Sequence, residues 1–372
     1  MKYRRKLFQT KDIYNLPPTN DIFTKAMADN ISFHMQHCPE YRQILEHFNF
    51  TPTSLKTVDD LHEIPPLPTS YLKNTTMLSK PYNKLFIKTT SSGTGGTKTL
   101  SGYDKSSAIC ALTMALKVLR FHKLISLRRT NYIVLGPKPD KVNQTATAKA
   151  LRYFTLLAPP KKIVYAIKIK NGEYQVDADD LVNAIVHFDR EGRPVRIVGF
   201  PAYFKLFMTE LADRGIKLNL HNNSKVLLGG GWKTFFAEEI SKEELFAMAQ
   251  DTIGLSRHNF KDHFSTAEHP VNYMACENNH FHIPVFSRVI IRDVNTLKPV
   301  EYGTPGVLNL ISPILTSAPY GSILTDDIAV MHSGEDCGCG IASPYMDIIG
   351  RVGLSNIKTC TQAASEFLKN LR

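Results

Sequence analysis

The 372-residue sequence has one tryptophan, six cysteines and no low-complexity stretch. With a single Trp, no aromatic-rich RNA-binding signature and no paired zinc-finger spacing, it carries no nucleic-acid recognition motif. Residues Met1–Thr10 are basic but lack the apolar stretch of a secretory signal. So few cysteines in so long a chain, without such a signal, point to reduced thiols and a cytoplasmic location. Metal binding or thiol chemistry is then expected before disulfides. Long hydrophobic runs are absent as well. The longest uncharged stretch, Tyr302–Thr325, is broken by Pro305, Pro313 and Pro319 and holds three glycines, so no transmembrane segment is expected. The 43% hydrophobic and 21% charged content is that of a globular protein, long enough for one large α/β unit or two.

Acidic residues are scarce in one region. Between Lys84 and Lys170 only Asp104 and Asp140 stand against 17 Lys and Arg, a local +15, whereas the whole chain is +11. A segment so biased attracts anions: ATP, a nucleic acid, an anionic membrane or an acidic protein. Without a recognition motif, nucleic acid is not expected as a partner.

The pattern of apolar residues divides the chain. Residues 1–82 read as an N-terminal helical segment with connectors, including the Pro-rich crossing Ile64–Pro68. From about residue 83 to 258, β-type runs at Lys84–Thr90, Asn131–Gly136, Ile163–Lys170, Arg196–Gly199 and Lys225–Leu228 alternate with helical-period segments. Those helices are expected at Lys105–Leu124, Ala146–Leu157, Ala178–Asp189, Pro201–Asp213 and Ala237–Gln250. Such alternation predicts a mostly parallel sheet covered by helices. Residues 259–350 are richer in short β segments, and 351–372 form a short tail with an expected last helix at Gln362–Leu371.

The segment Thr89–Thr99 follows an expected strand and precedes an expected helix. Before Lys98 it offers the hydroxyls of Thr89, Thr90, Ser91, Ser92, Thr94 and Thr97, and three glycines, Gly93, Gly95 and Gly96. Hydroxyls, closely approachable backbone amides and a terminal cation suit a polyphosphate. Lys98 is preceded by Thr97 rather than Gly, so this is not a Walker A loop, and it lacks the spacing of a dinucleotide fingerprint. A second cluster is a metal candidate. Cys276 with His280 or His282, and Cys337 with Cys339, would supply three thiolates and an imidazole, the set of a closed structural zinc site. Cys38 and Cys110 have no partner by spacing and are expected to pack in helices.

The loop Ser91–Lys98 resembles the phosphate loop of adenylate-forming enzymes, and further motifs follow in that superfamily's order. Gly229-Gly230-Gly231-Trp232 resembles the Gly-rich adenine-binding segment. Phe264–Glu268 is similar to the aromatic-x-x-x-Glu motif, whose Glu works near Mg²⁺ and the α-phosphate. Thr325-Asp326-Asp327 resembles the Thr-Gly-Asp segment whose last Asp holds the ribose, with Asp326 in place of Gly. Ile349-Gly350-Arg351, followed by Lys358, resembles the hinge at the end of the large domain. Within the superfamily the chain is most similar to the acyl-protein synthetases of bacterial luminescence and to phenylacetate–coenzyme A ligases, from about residue 55 to 362. The resemblance implies the large N-terminal domain of adenylate-forming enzymes: α/β subdomains with mostly parallel sheets, plus a β-rich part. Only 14 residues follow Lys358, so the small C-terminal domain is expected to be largely absent.

The resemblance also implies the chemistry. ATP and Mg²⁺ activate a carboxylic acid, a fatty acid in the synthetases, as an acyl-adenylate. Lys98, Glu268 and Arg351 are the catalytic candidates, Ser91–Lys98 hold the phosphates and Asp327 holds the ribose. Cys360, two residues after Lys358, matches the acyl-accepting cysteine of the synthetase tail, which passes the acyl group to a partner such as a reductase or an acyl carrier. Some phenylacetate–coenzyme A ligase relatives pair a Cys-bearing strand with a Cys-x-Cys turn, which favours the zinc set Cys276, His282, Cys337 and Cys339. Two other readings compete: an acyl- or aryl-coenzyme A or carrier-protein ligase with a reduced C-terminal domain, and a non-catalytic, basic, zinc-stabilised binding protein.

Overall fold

A computed structural model describes residues 1–73, 75–90, 100–138, 151–170, 173–230 and 239–351. The chain divides into two compact units. One comprises 1–118, 265–273 and 280–372, the other 119–264 and 274–279. The expected phosphate loop, Gly231, Trp232, Cys360 and the 362–371 helix lie outside the described residues.

The second unit is the alternating one. The strands Thr130–Pro137, Pro160–Lys170, Val195–Gly199, Lys225–Gly229 and Phe260–Phe264 pair in parallel, and Glu173–Val176 adds an antiparallel edge to Pro160–Lys170. Their near-continuous apolar runs are what a sheet covered on both faces requires. The helices Ala178–Glu191, Pro201–Asp213 and Lys242–Ile253 supply that cover. Phe188, Phe204, Met208, Leu211 and Ile253 pack with Ile133, Ile197 and Val226 of the strands.

Local chemistry sets the helix ends. Pro201 sits at the first turn of its helix, where a missing amide costs nothing. The segment expected at Ala237–Gln250 is helical instead from Lys242 to Ile253. Ser241 and Glu244 form a reciprocal capping box at its start, and Gly254, at φ 70°, ends it. The helix expected to reach Leu124 stops at Phe121, because Lys123 turns left-handed at φ 55°. Of the 146–157 helix, residues 151–154 are described and helical.

The first unit carries the N-terminal helices Lys2–Phe8, Asn20–His37 and Pro39–His47, and a largely antiparallel sheet. In that sheet Phe281–His282, Tyr345–Arg351, Ser322–His332, Gly306–Ile311 and Arg288–Arg292 lie side by side. The Pro-rich crossing is more than a connector. Leu67 and Pro68 pair in parallel with Ile323 and Leu324, and the short helix Thr69–Leu72 follows at once.

One expectation about the phosphate loop changes. A strand, Leu100–Tyr103, precedes the helix Lys105–Phe121 and pairs antiparallel with Ile87–Thr90, with Thr90 opposite Leu100. The 91–99 segment therefore joins two strands of a hairpin rather than a strand and a helix. Close backbone approach makes the pairing possible: a Cβ at Gly102 would lie 2.2 Å from the Ile87 carbonyl oxygen.

Candidate functional site

In the first unit, Asp327 lies on the strand Ser322–His332 directly opposite Arg351 on Tyr345–Arg351. The guanidinium reaches both neighbouring carboxylates, with Nε 3.6 Å from Asp327 Oδ1 and Nη2 4.0 Å from Asp326 Oδ2. Thr325 Oγ1 donates to the Leu308 carbonyl at 3.1 Å and accepts from the Asp327 amide at 3.1 Å, which holds the backbone of this pair. Lys73, the residue after the short helix, places Nζ 3.1 Å from Asp326 Oδ2. The parallel pairing of Leu67 with Ile323 carries Lys73 there.

Glu268 sits in a tight turn that Thr266 and His269 close. The His269 amide donates to Thr266 Oγ1 at 3.0 Å, and the Thr266 amide to the His269 carbonyl at 3.4 Å. Burial pushes the Glu268 carboxyl above its ordinary pKa. Its backbone amide, Lys73 and Arg351 oppose that rise, while Asp326 adds to it. Burial likewise raises Asp327, against the pull of Arg351. Glu268, Asp327 and Arg351, named separately from sequence motifs, thus share one electrostatic neighbourhood. Lys73 and the pairing role of Asp326 were not visible in the sequence, because only the Leu67–Ile323 pairing brings Lys73 to the acids.

His269 anchors the Glu268 turn from behind. Its Nε2 lies 2.9 Å from the Tyr273 hydroxyl, which lies 2.6 Å from Ser287 Oγ, and Ser287 donates to the Ile311 carbonyl at 3.0 Å. Complete burial drives the imidazole pKa down to about 3. It is neutral at physiological pH and serves as a structural strut.

In the second unit, Gly229 ends the strand Lys225–Gly229. A Cβ there would stand 3.0 Å from the His263 carbonyl oxygen, and Gly230 has φ 79°, so both positions favour glycine. The sheet order places Thr130–Pro137 between Pro160–Lys170 and Val195–Gly199. Successive strands leave it in opposite directions, and doubly wound sheets bind ligands at the carboxyl ends beside such a reversal. Gly229 and Gly230 lie at the carboxyl ends of the same sheet.

The metal candidates converge. One ligand atom from each of Cys276, His282, Cys337 and Cys339 lies within 4.8 Å of the other three. His282 Nδ1 donates to the Ser343 carbonyl at 2.7 Å, and Nε2 faces Cys339 Sγ at 3.2 Å. A metal-binding histidine is typically fixed by such a bond from its other nitrogen. The Asn278 amide donates to Cys276 Sγ at 3.3 Å, and left-handed Gly338 and Gly340, at φ 69° and 83°, flank Cys339 in its turn. His280 is engaged elsewhere, 2.8 Å from Asp347 Oδ1, which decides the histidine in favour of His282. Three thiols and one oriented imidazole fit zinc.

Comparison with known proteins follows the same lines. A sequence model of the family described as acyl-protein synthetase, LuxE, matches residues 14–369. Two curated relatives are each named long-chain-fatty-acid–luciferin-component ligase. That of Vibrio harveyi is 22% identical over 360 residues, covering 96% of this chain and 91% of its own. That of Aliivibrio fischeri is 23% identical over 385 residues, covering 98% and 94%. A solved 2-hydroxyisobutyryl-CoA ligase in an open conformation, with 2-HIB-AMP and CoA, has a TM-score of 0.67 at 16% identity and covers 92% of this chain and 78% of its own. The same ligase in its postadenylation state scores 0.66 at 15% identity, covering 97% and 76%. The fold is that of the adenylate-forming ligases.

Proposed function

From the premise that this chain belongs to the acyl-protein synthetase family, we propose that it activates a long-chain fatty acid with ATP and Mg²⁺ and transfers the acyl group through Cys360 to a partner protein. The names of the two curated relatives support the choice of acid. In the first step a carboxylate oxygen attacks the α-phosphorus of ATP and pyrophosphate leaves. In the second a thiolate attacks the acyl-adenylate carbonyl and AMP leaves. Neither step needs a strong base, so positioning and charge compensation carry the chemistry.

The observation that carries this reading is the shared neighbourhood of Glu268, Asp327 and Arg351. Glu268 would face the Mg²⁺ that accompanies ATP, Asp327 would accept from the ribose hydroxyls, and Arg351 would compensate the nucleotide's charge. Lys73, paired to Asp326, adds a cation there. Ser91–Lys98 would receive the departing phosphates, and Gly229–Trp232 the adenine. In domain terms, 1–82 supports the core, 83–258 carries the phosphate loop, 259–350 completes the adenylating domain, and 351–372 is the acyl-accepting tail. The acceptor is a reductase or an acyl carrier. The converging thiols of Cys276, Cys337 and Cys339 suit a reducing compartment such as the cytoplasm. No described helix is long and apolar enough to cross a membrane.

The test is carboxylate-dependent ATP–pyrophosphate exchange across acids of increasing chain length. Exchange that strengthens toward long aliphatic acids is expected, and its absence with every acid overturns the proposal.

Zinc held by Cys276, His282, Cys337 and Cys339 would be structural, since four protein ligands leave no open position. One zinc per chain is expected from elemental analysis of gently purified protein. Cys339→Ser is expected to lose that zinc and to lower Tm by roughly 5–10 °C. Full metal content in Cys339→Ser, or no zinc in the wild type, removes the assignment.

A further inference from the structure

The helix Lys105–Phe121 has two apolar faces. Cys110, Met114 and Val118, three or four residues apart, are buried. On the opposite side Ile109, Leu112 and Leu116 follow the same period and are 65%, 62% and 50% exposed. A surface helix ordinarily turns polar residues outward. Single exposed leucines are unremarkable, but three in register along one helix face are not.

Charge identifies what this face would meet. Lys105 begins the helix and Arg120 stands near its end, both exposed and, by the helical period, on the side of Ile109, Leu112 and Leu116. No acid, exposed or buried, occurs from Lys105 to Arg129. Large aliphatic side chains flanked by cations, with no anion to be repelled, are the pattern of a surface that lies on anionic headgroups. The aliphatics enter the acyl boundary while Lys and Arg reach up to the phosphates. Protein interfaces concentrate their binding energy instead in aromatic and Arg anchors set in fitted pockets, whereas Ile109, Leu112 and Leu116 form a row of aliphatics on one helix face. A fluid bilayer fits it better than an acidic protein does.

We propose that the outward face of the Lys105–Phe121 helix, with Ile109, Leu112 and Leu116 at its centre, docks the protein reversibly on an anionic lipid bilayer. The docking stands apart from the adenylation reading. If both hold, the protein sits where long-chain fatty acids partition.

The test uses the full chain and sedimentation with vesicles, at an ionic strength of about 0.05 M, where surface charge is little screened. Vesicles of phosphatidylcholine containing phosphatidylglycerol should carry the protein down, and pure phosphatidylcholine should not. Added salt should release it. Leu112→Glu/Leu116→Glu should cut vesicle binding roughly tenfold or more while leaving the thermal melt and the pyrophosphate exchange of the wild type unchanged. Lys105→Gln/Arg120→Gln should weaken binding and flatten its salt dependence, an independent readout should the leucine pair fold poorly. No binding of wild type to the anionic vesicles overturns the proposal. So does undiminished binding by the two double variants, or binding to polyglutamate while vesicles are ignored, which would give the face to an acidic protein. Absence of pyrophosphate exchange in the wild type bears on the adenylation reading alone.

Discussion

Cys360→Ser is expected to abolish covalent labelling of the protein by radiolabelled long-chain fatty acid, ATP and Mg²⁺, while carboxylate-dependent pyrophosphate exchange continues. The first step needs no thiol; the second needs a thiolate, which a serine hydroxyl at neutral pH does not replace. Chemistry at the other five cysteines points the same way. Cys38 is buried at a helix junction, where burial pushes its thiol up to about 11. Burial raises Cys110 as well, and both stay protonated and unreactive. Cys276, Cys337 and Cys339 belong to the converging metal set. Cys360 remains, the thiol of the proposed transfer. Label should fall at least about 100-fold in Cys360→Ser, and neutral hydroxylamine should strip it from the wild type, as it does a thioester. Label that persists in Cys360→Ser assigns the acyl group to another residue and ends the proposal for Cys360.

What the sequence disclosed follows from how local each cause is. Parallel strands buried on both faces announce themselves as apolar runs, and the strand expected at Arg196–Gly199 is found at Val195–Gly199. Pro201 marks a helix start unaided, and Pro201–Asp213 has the expected bounds. The 237–250 helix was displaced because the Ser241–Glu244 capping box governs its start more strongly than the apolar period does. Strand Leu100–Tyr103 was missed because four residues beside a Gly- and Thr-rich segment carry too little pattern to separate them from the following helix. Zinc ligands were legible as two short pairs, but their spacing left His280 and His282 open, and only the family resemblance favoured His282. The choice depends on the Ser343 carbonyl and on Asp347, some 60 residues away. Lys73 and the strut from His269 through Tyr273 to Ser287 arise from tertiary contact alone.

Glu268→Gln is expected to lower carboxylate-dependent pyrophosphate exchange by roughly 10²–10³-fold, and to do so without destabilising the protein. The carboxylate is where a metal-bound polyphosphate would need a fixed anion, and the amide keeps shape but not charge. Stability should move the other way. Burial, the dominant influence on Glu268, raises its pKa in the folded chain above the ordinary 4.5. The folded state therefore holds its proton more tightly than the unfolded state does, and stability falls as pH rises between the two values. Above the folded-state pKa the group is ionised in both states and the full cost is present, so there the glutamine variant should melt higher than wild type without ATP. That gain should shrink as pH falls through the folded-state pKa and vanish below 4.5. A side chain that merely held the Thr266–His269 turn in place would behave oppositely: its replacement would lower Tm, and exchange would fall only with folding. Wild-type exchange in Glu268→Gln, or a lower Tm at neutral pH, removes Glu268 from the adenylating site. Loss of exchange with a higher Tm places the cost of a desolvated, half-buried anion where ATP and Mg²⁺ would relieve it.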